Sequence, residues 1–344
     1  MIRIGITGQA GFIGTHLFNY LSLRKTEVEM IPFQDNFFED HDKLEVFVGQ
    51  CDAIVHLAAL NRHNDPRAIY DTNIDLVRKL ISAMESTGSR PHVLFSSSTQ
   101  EERDNLYGRS KREGRKLFEA WAERNGAAFT GLIVPNVFGP FGRPFYNSFV
   151  PTFACQLLRN EEPTVNVDAE VRLIYVGTLC RVVLDAIRSP GGRRRVDVPW
   201  DFERKVSDVL RLFRVFKTQY AEQGVIPVLA DRNDVNLFNT FRSYMELRAV
   251  KLVQHEDLRG TFIETIRLGC GGQVSFSTTV PGITRGNHYH TRKVERFSVI
   301  KGRARIQLRK IGTNEVLNFE LSGDEPAYVD MPVWYTHVTI PSAL

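Results

Sequence analysis

Cysteine is scarce in this sequence: the four that occur stand far apart, at positions 51, 155, 180 and 270. They form no CxxC pair, so we expect reduced thiols in a cytoplasmic protein rather than a disulfide framework. Long apolar runs are also missing, since none approaches the roughly 18 residues that a membrane span needs. The sequence begins directly with a strand-like segment, so we expect neither a signal peptide nor insertion into a membrane.

An excess of one charge is absent as well. Lys and Arg total 44 against 40 Asp and Glu, and the resulting charge of +4 is scattered along the chain. This balance argues against nucleic acid or a membrane surface as a partner. A length of 344 residues, with 42% hydrophobic and 24% charged residues, predicts a globular protein of two domains.

The pattern of short segments changes along the chain. In the first part, apolar strands alternate with helices, which predicts a Rossmann-type parallel sheet covered by helices. From Gly260 onward the segments are short, β-branched and punctuated by Gly and Pro, which predicts an all-β sandwich or barrel. We therefore expect an α/β domain over residues 1–243 and an all-β domain over residues 244–344.

A glycine-rich turn follows the first strand and opens the first helix. Glycines there allow a tight turn, close approach of a pyrophosphate, and phosphate binding by amides at the helix start. The candidate cofactor-binding residues of this turn are Gly8, Gly11, Phe12, Ile13 and Gly14. The acidic residue that would bind the ribose hydroxyl of NAD is not obvious, because the second strand ends at Gln34 and Asp35 comes late, and this favours NADP. Arg62 is a candidate partner for its 2′-phosphate, with a solvated loop arginine as the alternative.

A tyrosine and a lysine stand one helical turn apart. Tyr107 and Lys111 share one helix face, and we expect the ammonium to lower the pKa of the phenol. Tyr107 can then serve as the acid or base at a carbonyl during hydride transfer. A run of hydroxyls ends a predicted strand upstream, and Ser98 is the better candidate to orient the carbonyl, with Ser97 as the alternative.

These motifs, in this order, resemble an extended short-chain dehydrogenase/reductase that acts on nucleotide sugars. The resemblance implies that Tyr107 donates the proton and that Lys111 also holds the nicotinamide ribose. It adds candidate cofactor-binding residues at Leu57, Ala58, Ala59 and Asn73, and candidate substrate-binding residues at Asn136, Arg172 and Tyr175. Two departures stand out: the gap between the serine run and Tyr107 is short, and Pro135 replaces the Arg that often precedes Asn136.

A second set of polar residues lies near the C-terminus. The spacing of His288, His290 and Glu295, with a later His337, fits the two cupin motifs, except that Trp334 replaces a glycine. Three imidazoles and a carboxylate predict a divalent metal site, plausibly zinc, and a polar barrel mouth without metal is the alternative. The chain ends just after the second motif, so we expect a cupin barrel cut short.

The same region is similar to the cupin sugar-nucleotide 3,5-epimerases. That resemblance implies that His288 is a general base and that Arg259 and Arg285 stabilise an enolate. The two roles of His288 conflict, because a ligated imidazole cannot take up a proton.

The whole chain resembles the CapF-type bifunctional enzymes of capsular polysaccharide synthesis. The resemblance implies C3 epimerisation of a UDP-4-keto-6-deoxy-HexNAc, then C4 reduction with NADPH, giving UDP-2-acetamido-2,6-dideoxy-L-talose for UDP-N-acetyl-L-fucosamine. It also implies a homodimer. Two alternatives remain: a reductase or epimerase alone with a structural cupin, and a non-catalytic nucleotide sensor.

Overall fold

The computed structural model describes residues 1–257, 260–263, 265–269, 274 and 283–341. The helices are α1 (Phe12–Ser22), α2 (His41–Gln50), α3 (Pro66–Thr87), α4 (Leu106–Asn125), α5 (Phe149–Leu158), α6 (Val176–Arg188), α7 (Val206–Phe216) and α8 (Arg232–Arg242). Short 3₁₀ segments lie at Asp35–Glu39 and Thr99–Glu102, and a π-helical segment at Lys217–Glu222.

In chain order, the described strands fall into a first series up to residue 205 and a later series from residue 225 onward. The first series is β1 (Ile2–Thr7), β2 (Val28–Ile31), β3 (Ala53–His56), β4 (His92–Ser98), β5 (Phe129–Val134), β6 (Asn136–Phe138), β7 (Glu170–Tyr175), β8 (Arg193–Asp197) and β9 (Phe202–Lys205). The later strands are β10 (Val225–Ile226), β11 (Val250–Lys251), β12 (Gln254–Asp257), β13 (Gly260–Ile263), β14 (Arg267–Leu268), β15 (Arg285–Tyr289), β16 (Glu295–Val299), β17 (Arg303–Lys310), β18 (Leu317–Ser322), β19 (Ala327–Met331) and β20 (Tyr335–Pro341).

The chain forms two compact units. The first comprises Met1–Phe138, Gly142–Phe149 and Glu170–Arg204, and the second comprises Gly139–Phe141, Val150–Ala169 and Lys205–Leu344. This division differs from the boundary predicted at residue 243, because α7 and α8 group with the later strands.

The first unit is built on a six-stranded parallel sheet in the order β2-β1-β3-β4-β5-β8. Strands β3 and β5 are buried along their whole length, as expected where helices cover both faces of a parallel sheet. Phe118 and Trp121 of α4 are fully buried beside Phe129 of β5 and form the centre of an apolar core. This confirms the predicted α/β fold, and it brings the carboxyl ends of β1, β3 and β4 to one edge, where ligands bind in such sheets.

The second unit carries antiparallel sheets. Strands β15-β20-β17-β18 form one sheet and β11-β19-β16 another, with an apolar core that includes Ile306, Leu308 and Val329. A buried polar cluster links the π-helical segment and α8 to β19: Tyr220 donates to Asp330 Oδ2 at 2.5 Å, and Arg242 Nη2 donates to the Asp330 carbonyl at 3.2 Å. These bonds explain why the helices belong to this unit.

No helix among the described residues is both long enough and apolar enough to cross a membrane.

Candidate active site

The turn between β1 and α1 leaves no room for side chains at its glycines. Gly8 has φ +70°, and a Cβ there would lie 2.7 Å from the Ala58 nitrogen. A Cβ on Gly14 would lie 2.3 Å from the Gly8 carbonyl oxygen. Helix α1 starts after Gly11 with no side-chain cap and no acidic residue in its first turn. A phosphate group fits such a helix start, because it can accept from the first-turn amides.

The loop after β3 lies against this turn. The Leu57 nitrogen donates to the Thr7 carbonyl at 3.1 Å, and the Ala58 nitrogen donates to the Thr7 hydroxyl at 3.4 Å. Ala59 continues the loop and is half-buried. Leu57 and Ala58 therefore lie at the glycine turn, and all three residues remain predicted cofactor-binding positions.

Asn73 and Arg62 have protein partners that the sequence did not indicate. The Asn73 amide bonds the Leu60 nitrogen and carbonyl at 2.7 and 3.1 Å, and its nitrogen also reaches Ser110 Oγ at 3.1 Å. Asn73 is thus a buried brace of the loop after β3. Arg62 Nη1 donates to the carbonyls of Phe145 and Tyr146 at 2.8 and 3.1 Å, so its guanidinium holds a neighbouring loop.

Tyr107 and Lys111 stand together on α4, as predicted. Lys111 is only 4% exposed, donates to the Ser96 carbonyl at 3.0 Å, and has its Nζ 5.8 Å from the Tyr107 ring centre. Burial lowers the pKa of Lys111 to about 8, while the Glu101 carboxylate partly opposes this change. Burial raises the pKa of Tyr107 to about 12, and Tyr146 adds to the effect. The pKa of Tyr107 is thus raised where the sequence predicts a lowered one, because burial disfavours the charged phenolate.

The serine run separates into two environments. Ser97 is 2% exposed and donates to the Glu101 carboxylate. Ser98 is half-buried at the carboxyl end of β4, where its oxygen accepts from the Gln100 nitrogen at 3.2 Å. Because the Ser98 hydroxyl proton is not used in that bond, Ser98 remains the better donor to a substrate carbonyl.

The three candidate substrate residues occupy different positions. Asn136 is exposed, and its amide lies 3.4 Å from the Arg172 carbonyl across the pairing of β6 with β7. The Arg172 guanidinium lies 4.1 Å from the ring centre of Trp200, a neighbour that sequence reasoning missed. Tyr175 is 7% exposed and packs 5.6 Å from the Phe138 ring, which gives it a core position.

The second unit brings the predicted metal-ligating residues together. Ligand atoms of His288, His290 and Glu295 lie within 4.8 Å of one another. His337, on β20, pairs with His288 across the sheet, and the two Nε2 atoms are 3.4 Å apart. His290 Nε2 lies 3.2 Å from Glu295 Oε2. Yet among the described residues neither of these two buried atoms, nor His337 Nδ1, has a hydrogen-bond partner.

The pKa shifts of two cluster residues, His337 and Glu295, suit a cation. Burial, and then the neighbouring His288, lowers the pKa of His337 and keeps its imidazole neutral. Burial alone would raise the pKa of Glu295, but the hydrogen bond from Lys293 and the nearby His290 outweigh it and lower that pKa. Neutral imidazoles and an ionised carboxylate are the forms that bind a divalent metal.

Trp334 adopts the conformation of the glycine that it replaces. Its φ is +64°, a left-handed backbone that costs a side-chain-bearing residue about 1–2 kcal/mol. The indole stacks on Tyr289 with ring centres 5.8 Å apart, and the Trp334 nitrogen donates to the His290 carbonyl at 2.9 Å. The left-handed turn at Trp334 is therefore held in place next to His290 of the histidine cluster.

The two epimerase arginines are less informative. Arg259 lies outside the described residues. Arg285 is exposed at the start of β15 and pairs with Thr339.

Comparison with known proteins matches both units. Residues 4–197 match the NAD dependent epimerase/dehydratase family, and residues 255–341 match the polysaccharide biosynthesis C-terminal domain. A Pseudomonas aeruginosa protein described as UDP-2-acetamido-2,6-beta-L-arabino-hexul-4-ose reductase is 32% identical over 343 residues, covering 98% of this chain and 90% of that protein.

Solved structures agree with these matches. The capsular polysaccharide assembling protein CapF from Staphylococcus aureus is 30% identical, with a TM-score of 0.65 over 99% of this chain and 92% of its own. RMD from Pseudomonas aeruginosa complexed with NADPH is 19% identical, with a TM-score of 0.55 over 62% of this chain and 81% of its own, a likeness of fold alone. The chain therefore belongs to the NAD dependent epimerase/dehydratase family and, over nearly its whole length, to the CapF-type enzymes.

Proposed function

We propose that the first unit is an NADPH-dependent reductase of a UDP-linked 4-keto-6-deoxy sugar. The observation that carries this proposal is the position of Tyr107 and Lys111 on one helix, with Lys111 bound to the Ser96 carbonyl of β4, the strand that ends at Ser98. The 32% identical relative is named as a UDP-sugar 4-ulose reductase, which supports the same chemistry. NADPH, when bound, supplies the hydride.

Each side chain has a separate task in this reaction. Ser98 donates a hydrogen bond to the C4 carbonyl oxygen and orients it. Tyr107, whose pKa of about 12 keeps it protonated at neutral pH, gives its proton to that oxygen as the hydride reaches C4. The Lys111 ammonium stabilises the resulting phenolate by charge, and it holds the nicotinamide ribose. Exposed Asn136 and the Arg172 guanidinium are proposed to contact the nucleotide sugar.

We infer that the second unit is a cupin that binds zinc through His288, His290, Glu295 and His337. Two ligand nitrogens at about 2.0–2.1 Å from tetrahedral zinc stand about 3.3–3.4 Å apart, which matches the 3.4 Å between His288 and His337. His288 Nδ1 lies 3.2 Å from the Gly286 carbonyl, so Nδ1 carries the proton and the Nε2 lone pair faces the cluster. This favours His288 as a ligand over a general base. Zinc there would supply a Lewis acid or a structural link.

The proposed second activity is C3 epimerisation before reduction. A proton on the carbon beside a ketone is acidic, and its removal gives an enolate that re-protonates on either face. The proposed product is UDP-2-acetamido-2,6-dideoxy-L-talose, a precursor of UDP-N-acetyl-L-fucosamine. Arg259 and Arg285 are proposed to stabilise the enolate.

We also infer a cytoplasmic homodimer. Cys51 and Cys180 are free and buried, and burial raises the pKa of both thiols to about 12, which suits a reducing compartment. Light scattering after size-exclusion chromatography should give twice the chain mass, and a monomer would contradict the dimer.

One experiment separates the activities. The enzyme is incubated with the UDP-4-keto-6-deoxy sugar in deuterated water, with and without NADPH, and products are read by mass spectrometry. Deuterium at C3 without NADPH is expected of the epimerase, and no exchange would leave a reductase with a structural cupin. Tyr107→Phe should reduce NADPH oxidation by at least about 100-fold.

The matched control is Tyr70→Phe, which removes a hydroxyl that donates to Glu113. It should leave turnover unchanged. Full activity in Tyr107→Phe would refute the reductase proposal, and binding without any turnover in the wild type would favour a nucleotide sensor.

A further inference from the structure

A buried carboxylate lies beside the reductase centre, in the short connection between β4 and α4. Glu101 is 5% exposed and forms a two-point ion pair with Arg115 of α4, with Nε–Oε1 and Nη2–Oε2 distances of 2.9 Å. It also accepts a hydrogen bond from the hydroxyl of Ser97, the neighbour of Ser98. No feature of the motifs discussed above requires an acid at this position.

The connection is held tightly against the first turn of α4. A Cβ on Gly108 would lie 2.0 Å from the Gln100 carbonyl oxygen, so only glycine permits this approach. On the other side, a Cβ on Gly131 of β5 would lie 2.6 Å from Cδ of Arg115, so the arginine stem fills the space above the strand. The position of the carboxylate is therefore set by backbone packing on both sides.

Several groups surround Lys111 besides this carboxylate. His56 of β3 is fully buried and its pKa is lowered to about 3, so it is neutral. Tyr107, on the same helix, is protonated at neutral pH. The Ser96 carbonyl of β4 accepts from Nζ, and the charge of Arg115 lies beyond Glu101 in the ion pair. Lys111 lies one helical turn before Arg115 on α4 and is bound to Ser96, while Glu101 pairs with that arginine and with Ser97. Among the described residues, Glu101 is therefore the carboxylate whose negative charge acts on the Lys111 ammonium.

We propose that Glu101 is a positioning residue of the reductase centre, which keeps the buried Lys111 protonated and anchors the serine run through Ser97. The inference depends on the proposed reductase function. A buried ammonium loses its proton easily because it has lost its hydration, and an adjacent carboxylate restores the charged form. Arg115 holds that carboxylate ionised and in place. If Glu101 became neutral or moved away, the buried guanidinium charge of Arg115 would be left uncompensated.

The test is the pH profile of kcat for Glu101→Gln in the full-length enzyme. Glutamine keeps the one acceptor oxygen that Ser97 and Arg115 Nε share, but it removes the charge and the acceptor for Arg115 Nη2. The alkaline limb, where Lys111 loses its proton near pH 8, should move about one pH unit lower. From that shift, kcat should fall about twofold at pH 7 and about eightfold at pH 8.5.

Glu119→Gln is the matched control, because it removes a carboxylate 3.6 Å from the same arginine at a position that is 46% exposed. Its alkaline limb should stay in place. Glu101→Asp keeps the charge and should also keep the limb, even if kcat falls, and it carries the test should Glu101→Gln fail to fold.

An unmoved limb in Glu101→Gln, an equal shift in Glu119→Gln, or a shifted limb in Glu101→Asp would overturn the inference. A loss of kcat that is equal at every pH would assign Glu101 a structural role only. Full activity of Tyr107→Phe would instead refute the proposed function itself, so the two failures are distinguishable.

Discussion

Replacing Lys111 by methionine should inactivate the reductase and stabilise the first unit. The side chain is 4% exposed, and its pKa falls from 10.5 to about 8 on burial. At 1.36 kcal/mol per pKa unit, the charged form is disfavoured in the folded state by about 3 kcal/mol. The variant loses the hydrogen bond to Ser96, which costs about 1–2 kcal/mol. The expected net gain in the free energy of unfolding at pH 7 is therefore about 1–2 kcal/mol.

The pH dependence gives this prediction a second check. A lysine in the unfolded chain titrates near pH 10.4, so between about pH 8 and 10.4 the unfolded wild type binds more protons than the folded wild type. Its free energy of unfolding should rise through that interval. Lys111→Met lacks this rise, so its stability advantage should shrink as the pH increases.

Urea unfolding followed by tryptophan fluorescence measures both effects, because Trp121 is fully buried in the core of the first unit. NADPH oxidation with the keto sugar should fall by at least about 100-fold. Lys116→Met, at an exposed position on the same helix, should change neither quantity. A variant less stable than the wild type at pH 7, or an advantage that persists to pH 10, would refute the reasoning.

Two further predictions concern the cofactor turn and the metal cluster. Gly14→Ala should weaken NADPH binding by at least about 10-fold in calorimetry, because its Cβ would lie 2.3 Å from the Gly8 carbonyl oxygen. The control is Gly49→Ala, whose Cβ would have no atom within 4 Å and which should bind NADPH normally. Equal NADPH affinities of the two variants would contradict the role of the glycine turn in cofactor binding. His290→Ala should lower the zinc content measured by mass spectrometry from about one ion per chain to a trace. His63→Ala is the control, and zinc retained by His290→Ala would exclude that residue as a ligand.

Local motifs of the reductase were predictable because each depends on residues close in sequence. Tyr107 and Lys111 share a helix face through the helical repeat, and the glycine turn follows from steric limits at one strand–helix junction. The proximity of His288 and His290 was predictable for a related reason, since they are two residues apart near one strand. The fourth proposed ligand, His337, was found only through the spacing of a known motif.

Other parts of the site depend on contacts between distant segments. Nothing near Asn73 in the sequence indicates that its amide binds Leu60 and Ser110. Nothing near Arg62 indicates that it holds a loop more than 80 residues away.

The sequence by itself determined which chemical groups are present and which of them are neighbours along one element, because helix and strand periodicity are local properties. Only the tertiary structure decided their electrostatics, because burial depends on everything packed around a group. It gave Tyr107 a raised pKa where a lowered one was expected, and it placed the Glu101 carboxylate against Arg115 and Ser97. The tertiary structure also shows that Trp334 adopts a left-handed backbone conformation at the position where the cupin motif has glycine.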